Sequence, residues 1–565
     1  MTEFSAHQVL LEQLQACGNQ DERERLLMHF TLERLPEPLR AAVQAAVVPR
    51  FFDRAFLNVL LDQPLDEAQF AELTGLSYIE PYPGEGRFNV HERSRKLLQE
   101  KLWQEDEALY REISCRAFVY CKKQDQNDIT WRIETVYHQL IAYPDDGARA
   151  FHDTCTEWFK PSNFPFDKVE SLLRAVQEHV RLNRLPKKAI YYFWLNQAKM
   201  KVFPSGSFHD AKQTLQKIDL ADVTNCDDQL IISYFLQLGR VHVALCEYQE
   251  GQRCYEQALQ VSRKAGNKKQ EIRSLFQIGI AHCWLSNFLE AKQYVKEVLQ
   301  LSLETGDQES KANCLLLLGQ VHYSHLEYQE TLLCYEELLQ LCQETGDKSG
   351  EIVALQAIGS VHQRLSEFQK AHFFYKKALR LSRETGSLID EAACLQNLTY
   401  VHLDLSEFDE ARRCAIEALQ LCRKTGVRMG VASCFFNLGQ VYFHSSEFQK
   451  ARRCYKKALH LYREAGAGVG EAGCLQAFGD LSVKIGEFIA AKHYYDQLLA
   501  LNERTHNPEC VADCLESIAK LHQAQQQFPQ AEECWQKAAD MYRQLSMPLR
   551  EQHCLEQLRQ MKEQE

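Results

Sequence analysis

The chain of 565 residues predicts an all-α fold, a superhelix of stacked helix pairs (an α-solenoid). Three observations predict it. A glycine inside a helical pattern recurs every forty residues, at Gly239, Gly279, Gly319, Gly359, Gly439 and Gly479, with Thr399 and Ala519 at the two remaining positions. Each unit carries apolar residues at helical spacing on both sides of a short turn. In the unit at 432 to 471, Phe435, Leu438, Val441 and Tyr442 form the first face, and Ala451, Tyr455, Ala458, Leu459 and Leu461 the second. A second glycine column, Gly266, Gly306, Gly346, Gly386, Gly426 and Gly466, closes the units where a helix ends on a left-handed residue. Periodicity of this kind dictates the architecture, because no unit can bury its apolar face without its neighbours.

Taken in order, residues 1–125 read as a separate helical domain. LPEPLRAAVQAAVVPRFFDRAFLNVLL and DEAQFAELTGL predict helices, and SYIEPYPGEGRFNVHERSRKLLQEKL predicts a hairpin turning at Pro83-Gly84-Glu85-Gly86 before a basic helix. Helices followed by a two-stranded wing resemble the winged-helix segment of STAND-class signalling ATPases. Residues 126–226 are helical but irregular, with Pro144, Pro161, Pro165 and Pro186 interrupting the patterns and a degenerate repeat from 186 that carries Phe208, Ala211 and Leu215. Residues 227–546 hold eight forty-residue units, and 547–565 a terminal capping helix.

Leu438, Gly439, Tyr442, Ala451, Tyr455 and Ala458 match the pattern of the tetratricopeptide repeat, and the chain resembles that family in eight in-phase units. The closing proline is missing and the second helix is long, which resembles the extended repeats of kinesin light chain and the Leu-Gly-Asn spindle adaptors. The resemblance implies a right-handed superhelix in which each glycine sits at a helix crossing opposite the alanine at 411, 451, 491 or 531. It also implies a concave groove lined by the first helices, at the positions two before, one after and four after the glycine and the next one along. The candidate groove residues are Gln237, Arg240, Gln277, Trp284, Gln320, Tyr323, Arg364, Asn397, Tyr400, Asn437, Gln440 and Phe443. Amides both donate and accept, as an extended backbone requires, and Trp284, Tyr323, Tyr400 and Phe443 offer apolar pockets for anchors. Asn397 and Asn437 resemble the peptide-holding asparagines of the extended-repeat families. The plain alternative is that the amides are solvated and the aromatics pack between neighbours.

The remaining features exclude more than they assign. A net charge of −12 and a pI near 6.0 disfavour a general nucleic-acid binder. Asp66, Glu67 and Glu72 on the segment that would enter a DNA groove repel phosphate, and a solvated face accounts for Arg93, Arg95, Lys96 and Lys101 on the next helix as well as DNA binding does. The 21 cysteines follow the repeat, one column holding Cys314, Cys394, Cys434, Cys474, Cys514 and Cys554, which reads as unpaired packing thiols in a reducing compartment without zinc. Histidines at 242, 282, 322, 362, 402 and 522 stand about 10 Å apart if they follow the stacking of helices, too far for a shared metal, and read as hydrogen-bonded packing. Lys376, Lys377, Arg380, Arg412, Arg413, Arg452, Arg453, Lys456 and Lys457 form a basic stripe on the second helices, read as a solvated face paired with glutamates at i,i+4.

No phosphate-binding loop, zinc-protease or nucleophile-elbow motif is present, so no enzyme, cofactor or small-molecule substrate is expected. The N-terminus MTEFSAHQVLLEQLQ lacks the pattern of a signal peptide and no apolar run spans a membrane, so a cytoplasmic protein is expected. The expected function is an adaptor or scaffold that holds a partner protein or peptide in its groove, in signalling or complex assembly. Two alternatives are a peptide-responsive transcription regulator with a DNA-binding head and a regulatory subunit of a STAND-type ATPase.

Overall fold

The computed structural model describes residues 3–84, 86–159, 166–203, 205–223, 227–504, 508–545 and 547–562. The chain divides into two compact units, Met1–Asn196 and Gln197–Glu565.

In the first unit, helices Glu3–Ala16 and Gln20–Arg34 precede Glu37–Ala46, Arg54–Leu60 and Glu67–Thr74. Asp66 and Gln69 close a reciprocal capping box at the start of Glu67–Thr74. The predicted hairpin follows: strand Ile79–Pro81 pairs antiparallel with Phe88–Val90, Ile79 opposite Val90 and Pro81 opposite Phe88. Helix Glu92–Glu105 leads into Glu107–Lys122, Ile129–Ala142, Pro144–Trp158 and Asp167–Arg181. Phe51, Phe56 and Trp131 meet edge to face in the core. Pro144 does not break a helix. It opens one, at the position where its missing N–H would have no partner anyway. Pro161, Pro165 and Glu85 lie outside the described residues.

Arg95, read from the sequence as part of a solvated basic face, is an interior residue. Its Nε donates to the carbonyls of Val47 and Pro49, both at 3.1 Å, and its Nη2 to that of Val48 at 3.2 Å. Nη1 pairs with Glu178 at 2.9 Å. The carbonyls it collects follow the helix Glu37–Ala46, where a helix leaves its acceptors unpaired.

In the second unit, eight helix pairs run in strict phase. Repeat 1 is Asp228–Ala244 with Tyr248–Lys264; repeat 2, Lys268–Trp284 with Phe288–Thr305; repeat 3, Gln308–Ser324 with Tyr328–Thr345; repeat 4, Lys348–Arg364 with Phe368–Thr385. Repeat 5 is Leu388–Asp404 with Phe408–Thr425; repeat 6, Arg428–His444 with Phe448–Ala465; repeat 7, Gly468–Lys484 with Phe488–Arg504; repeat 8, Pro508–Ala524 with Phe528–Gln544. Helix Pro548–Lys562 packs on the last pair, and Lys187–Val202 with Phe208–Leu215 precede the first.

Two left-handed positions punctuate each of repeats 1–6. The predicted glycine stops are left-handed, as at Gly346 with φ 73° and Gly426 with φ 69°. The turn inside each repeat contains a second such residue, which in repeats 1–6 and 8 is not glycine: Ser406 and Ser446 at φ 60° and Leu326 at φ 62° are examples. The cause is a six-residue hydrogen bond that closes the end of the first helix, for example from Glu407 N to His402 O at 2.7 Å.

The column of helical glycines has a further partner beside the expected small residue, which in repeat 1 is Gly251, where a Cβ would stand 3.2 Å from Gly239 O: the aromatic ring four residues later fills the space nearest the missing side chain. A Cβ on Gly359 would stand 2.8 Å from Tyr375 Cε1, and Gly239, Gly319, Gly439 and Gly479 face Tyr255, Tyr335, Tyr455 and Tyr495 in the same way. Repeat 2 has Val295 at the tyrosine position, and there Gly279 faces Leu317 instead.

Candidate ligand-binding face

The first helix of each repeat packs against the first helix of the next along the whole array, while successive second helices come into no comparable contact. The array therefore bends toward its first helices, and their outward residues line its inner side. The bend carries the array through a full turn within the second unit. The start of repeat 7 meets the turn of repeat 1, where a Cβ on Gly468 would stand 2.5 Å from Cys246 Sγ. The start of repeat 8 meets the turn of repeat 2, where Ser286 Oγ donates to Glu509 Oε2 at 3.5 Å.

The predicted groove residues divide into two groups. One group is tied into a ladder between neighbouring first helices. Tyr400 donates its hydroxyl to Asn437 Oδ1 at 2.7 Å, and Asn437 is only 2% exposed rather than open to the groove. Asn397 Nδ2 lies 3.5 Å from Gln356 Oε1, and Ser360 Oγ 3.3 Å from the Tyr323 hydroxyl. Gln237 is buried at 4% exposure. The second group is reached by solvent. Arg240, Trp284 and Arg364 are exposed and Gln277, Gln320, Gln440 and Phe443 partly so, while Tyr323 and Tyr400 of the ladder also keep some exposed surface. Trp284 lies parallel to Tyr248, ring centres 6.0 Å apart.

Sequence reasoning missed Gln356 and Asp404, which extend the ladder: Gln363, at the predicted inward position four after Gly359, donates its Nε2 to Asp404 Oδ2 at 2.5 Å. It also missed Arg273 and Asp480, whose column positions were available as a signal. Both keep solvent-exposed surface on the inner side. Burial, with the like charge of Arg240 second, pushes the Arg273 guanidinium down to about 10. Burial raises the Asp480 carboxyl above its ordinary value although Tyr495 and Gln476 donate to it at 2.6 and 3.0 Å. Such shifts belong to charges inside a recess.

The histidine column is occupied by packing interactions. His242, His362 and His402 place Nδ1 at 2.5, 2.6 and 2.7 Å from the glutamate five residues on, and His322 pairs with Glu327 in the same manner. A basic residue of the preceding unit reaches the same carboxylate, as in Lys212 to Glu247 and Lys292 to Glu327. The basic stripe takes part. Arg412 meets Glu447 at 2.8 Å and Arg452 meets Glu487 at 2.5 Å, both across a repeat boundary rather than at i,i+4.

Burial alone would raise the Glu327 carboxyl, but His322 and Lys292 hold it below its ordinary value. A folded carboxyl with a depressed pKa stabilises fully above the unfolded value and loses that contribution as pH falls through the folded one.

Repeat 2 breaks this pattern because Asn287 replaces the glutamate. His282 is left with both ring nitrogens buried and without a hydrogen bond, and burial pushes its pKa down. An unfolded His282 takes up a proton that the folded one resists, so stability falls as pH drops through the ordinary histidine value. Asn287→Glu is expected to restore the pair, stabilise repeat 2 by about 1 kcal/mol and raise the His282 pKa. An NMR titration of the ring together with urea unfolding at pH 7 measures both.

The cysteine columns serve the core. Cys394, Cys434, Cys474 and Cys554 are fully buried, and no described cysteine forms a disulfide. Burial pushes the Cys474 and Cys514 thiols up to about 12, which keeps them unreactive. Among the described residues no group of side chains is arranged to hold a metal ion, and no helix is long and apolar enough to cross a membrane.

Helix pairs in phase, a bend toward the first helices and a polar inner face define a helical-repeat protein of the solenoid class. Its repeats are tetratricopeptide repeats. Models of that repeat match residues 230–302, 326–384, 391–464 and 511–546. Among solved structures, the chain is similar to a Rap protein complexed with competence and sporulation factor, at 12% identity and a TM-score of 0.46 over 64% of this chain and 99% of that one. It is similar to a STAND protein with a tetratricopeptide-repeat sensor from Pyrococcus horikoshii, at 13% identity and 0.46 over 86% and 67%. The apo form of the quorum sensor NprR from B. thuringiensis aligns at 16% identity and 0.40 over 63% and 99%. No curated protein matches the chain.

Proposed function

We propose that the chain is a non-catalytic receptor and adaptor that holds an extended peptide or a segment of a partner protein along the inner face of its repeats, in signalling or complex assembly. One observation carries the reading. The inner face is divided between residues that fix it, such as Tyr400 with Asn437, and residues left to solvent that packing does not require, such as Arg240, Gln320 and Gln440. A rigid lining with free donors, acceptors and aromatic edges is the preorganised surface that an extended ligand needs. In this reading residues 1–125 form a winged-helix-like head that packs against protein. The guanidinium of Arg95 on its basic helix is already engaged by three carbonyls and Glu178, which leaves it nothing for phosphate.

The test is site-specific photo-cross-linking. Benzoylphenylalanine replacing Gln320 or Gln440 is expected to capture polypeptide from a cell lysate, while the same group replacing Lys456, exposed on the second helix of repeat 6, captures none. Equal labelling from both faces would contradict the proposal.

A further inference from the structure

The inner face carries a charge pattern beyond what peptide binding alone requires. One residue after the glycine column, the side chain is Arg240 in repeat 1 and Asp480 in repeat 7, with uncharged residues in the five repeats between. Six residues before it, the side chain is Arg273 in repeat 2 and Asp513 in repeat 8, again with only uncharged residues between. Both columns thus hold arginine toward one end of the array and aspartate toward the other, the first column closing with Lys520 in repeat 8.

Three of these four charges have no counter-ion. Among the described residues neither Arg240 nor Arg273 makes a hydrogen bond or an ion pair. Asp480 receives only the neutral donors Tyr495 and Gln476. The fourth is compensated, since Arg550 meets Asp513 at 3.0 Å. Nearby charges are also engaged: Lys520 lies 3.6 Å from Glu516, and Glu309 takes Lys269 at 3.2 Å. An arginine pair open to the inner face with its charge uncompensated is set for an anionic group, because a guanidinium fork meets a carboxylate through two parallel hydrogen bonds.

The fold places the two ends on one line. Repeat 7 begins at the turn of repeat 1, next to Cys246, and repeat 8 begins at the turn of repeat 2. Arg240 and Asp480 are therefore separated along the superhelix rather than around it. At 1.5 Å per helical residue, the stretches from Arg240 to Cys246 and from Gly468 to Asp480 span roughly 30 Å, about nine residues of extended chain.

We infer that the inner face selects a bipolar peptide, with a carboxylate at the end held by Arg240 and Arg273 and a cationic group about nine residues away at Asp480. The inference rests on the proposed function and adds the charge pattern and length of the ligand. The peptide's own termini and side chains near them are the two sources of such a carboxylate and cation, and the test separates them.

The probes are three libraries of peptides about ten residues long, randomised over uncharged residues and incubated with the full-length chain. The first has free termini, the second has both termini blocked, and the third is blocked with lysine at one end and glutamate at the other. Retention after gel filtration is read by mass spectrometry. The chain is expected to retain the first or the third at least about ten-fold over the second, the lower end of what a charge-assisted hydrogen bond contributes. Whichever is retained names the source of the charges. Arg240→Gln with Arg273→Gln, and separately Asp480→Asn, are expected to bring retention down to that of the blocked library with helicity unchanged. Equal retention of all three libraries would overturn the bipolar reading and leave peptide binding standing. Retention of none would overturn both.

Discussion

Replacing Gly439 with threonine is expected to cost roughly 3 kcal/mol or more, and adding Tyr455→Ala to that variant is expected to return part of the loss. Tyr455 is 1% exposed and its ring occupies the space where a side chain at 439 would project. A β-branched residue there must push the ring out or spread the helix pair, and neither is cheap in a close-packed interior. Tyr455→Ala alone leaves a cavity, expected to cost about 3–5 kcal/mol. The double variant fills part of that cavity with the threonine, so the two losses should not add.

Repeat 5 already contains this exchange. Thr399 stands in the glycine column, Ala415 in the tyrosine column, and both are fully buried. The Thr399 hydroxyl is satisfied by Leu395 O at 2.8 Å, a partner that the helix offers at any position. Repeat arrays open locally, so hydrogen exchange of the repeat 6 amides is the appropriate measurement. A cycle in which the two losses add to within about 0.5 kcal/mol would show that ring and glycine do not share one space.

The sequence made the array legible because one unit is written eight times. A misread residue in one repeat is corrected by its column in the others, which is why the helix pairs and the stops at Gly346 and Gly426 agree with expectation. Less was legible where the cause lies outside the unit. Ser406 and Leu326 take left-handed backbone through a hydrogen bond that closes the turn, and nothing in their chemistry announces it. Lys292 and Glu327 meet 35 residues apart. That pairing is periodic and could have been found by comparing columns instead of looking for neighbours on one helix. The groove was half legible. Spacing identifies the inner side of a first helix, but whether an amide there is free depends on the neighbouring repeat, and Tyr400 is what takes Asn437. Gln320 stands in the same column as Tyr400, yet keeps part of its surface open to solvent.

Arg95 shows the same limit in the first unit, and it leads to the other large effect. Arg95→Met is expected to destabilise that unit by about 3–5 kcal/mol, the usual cost of removing one partner from a buried ion pair. The guanidinium joins three carbonyls at residues 47–49 to Glu178, and the Tyr137 hydroxyl oxygen accepts from Nη2 at 3.1 Å beside them. Gln99 Nε2, at 2.5 Å from Val47 O, can retain only one of the three carbonyls. The methionine fills the volume but leaves Val48 O and Pro49 O without this donor and Glu178 without a counter-charge. Two further variants separate these contributions. Arg95→Lys keeps a charge near Glu178 but offers it on a point-like ammonium that cannot span the carbonyls, so about half the loss should remain. Arg95→Met with Glu178→Leu removes the stranded carboxylate and leaves the carbonyls unpaired, so it should recover only the portion due to charge. Hydrogen exchange across residues 43–60 reads the effect where it arises. If Arg95→Met left those amides as protected as in the parent, the stability of this region would have to come from the aromatic packing of Phe51, Phe52 and Phe56 alone.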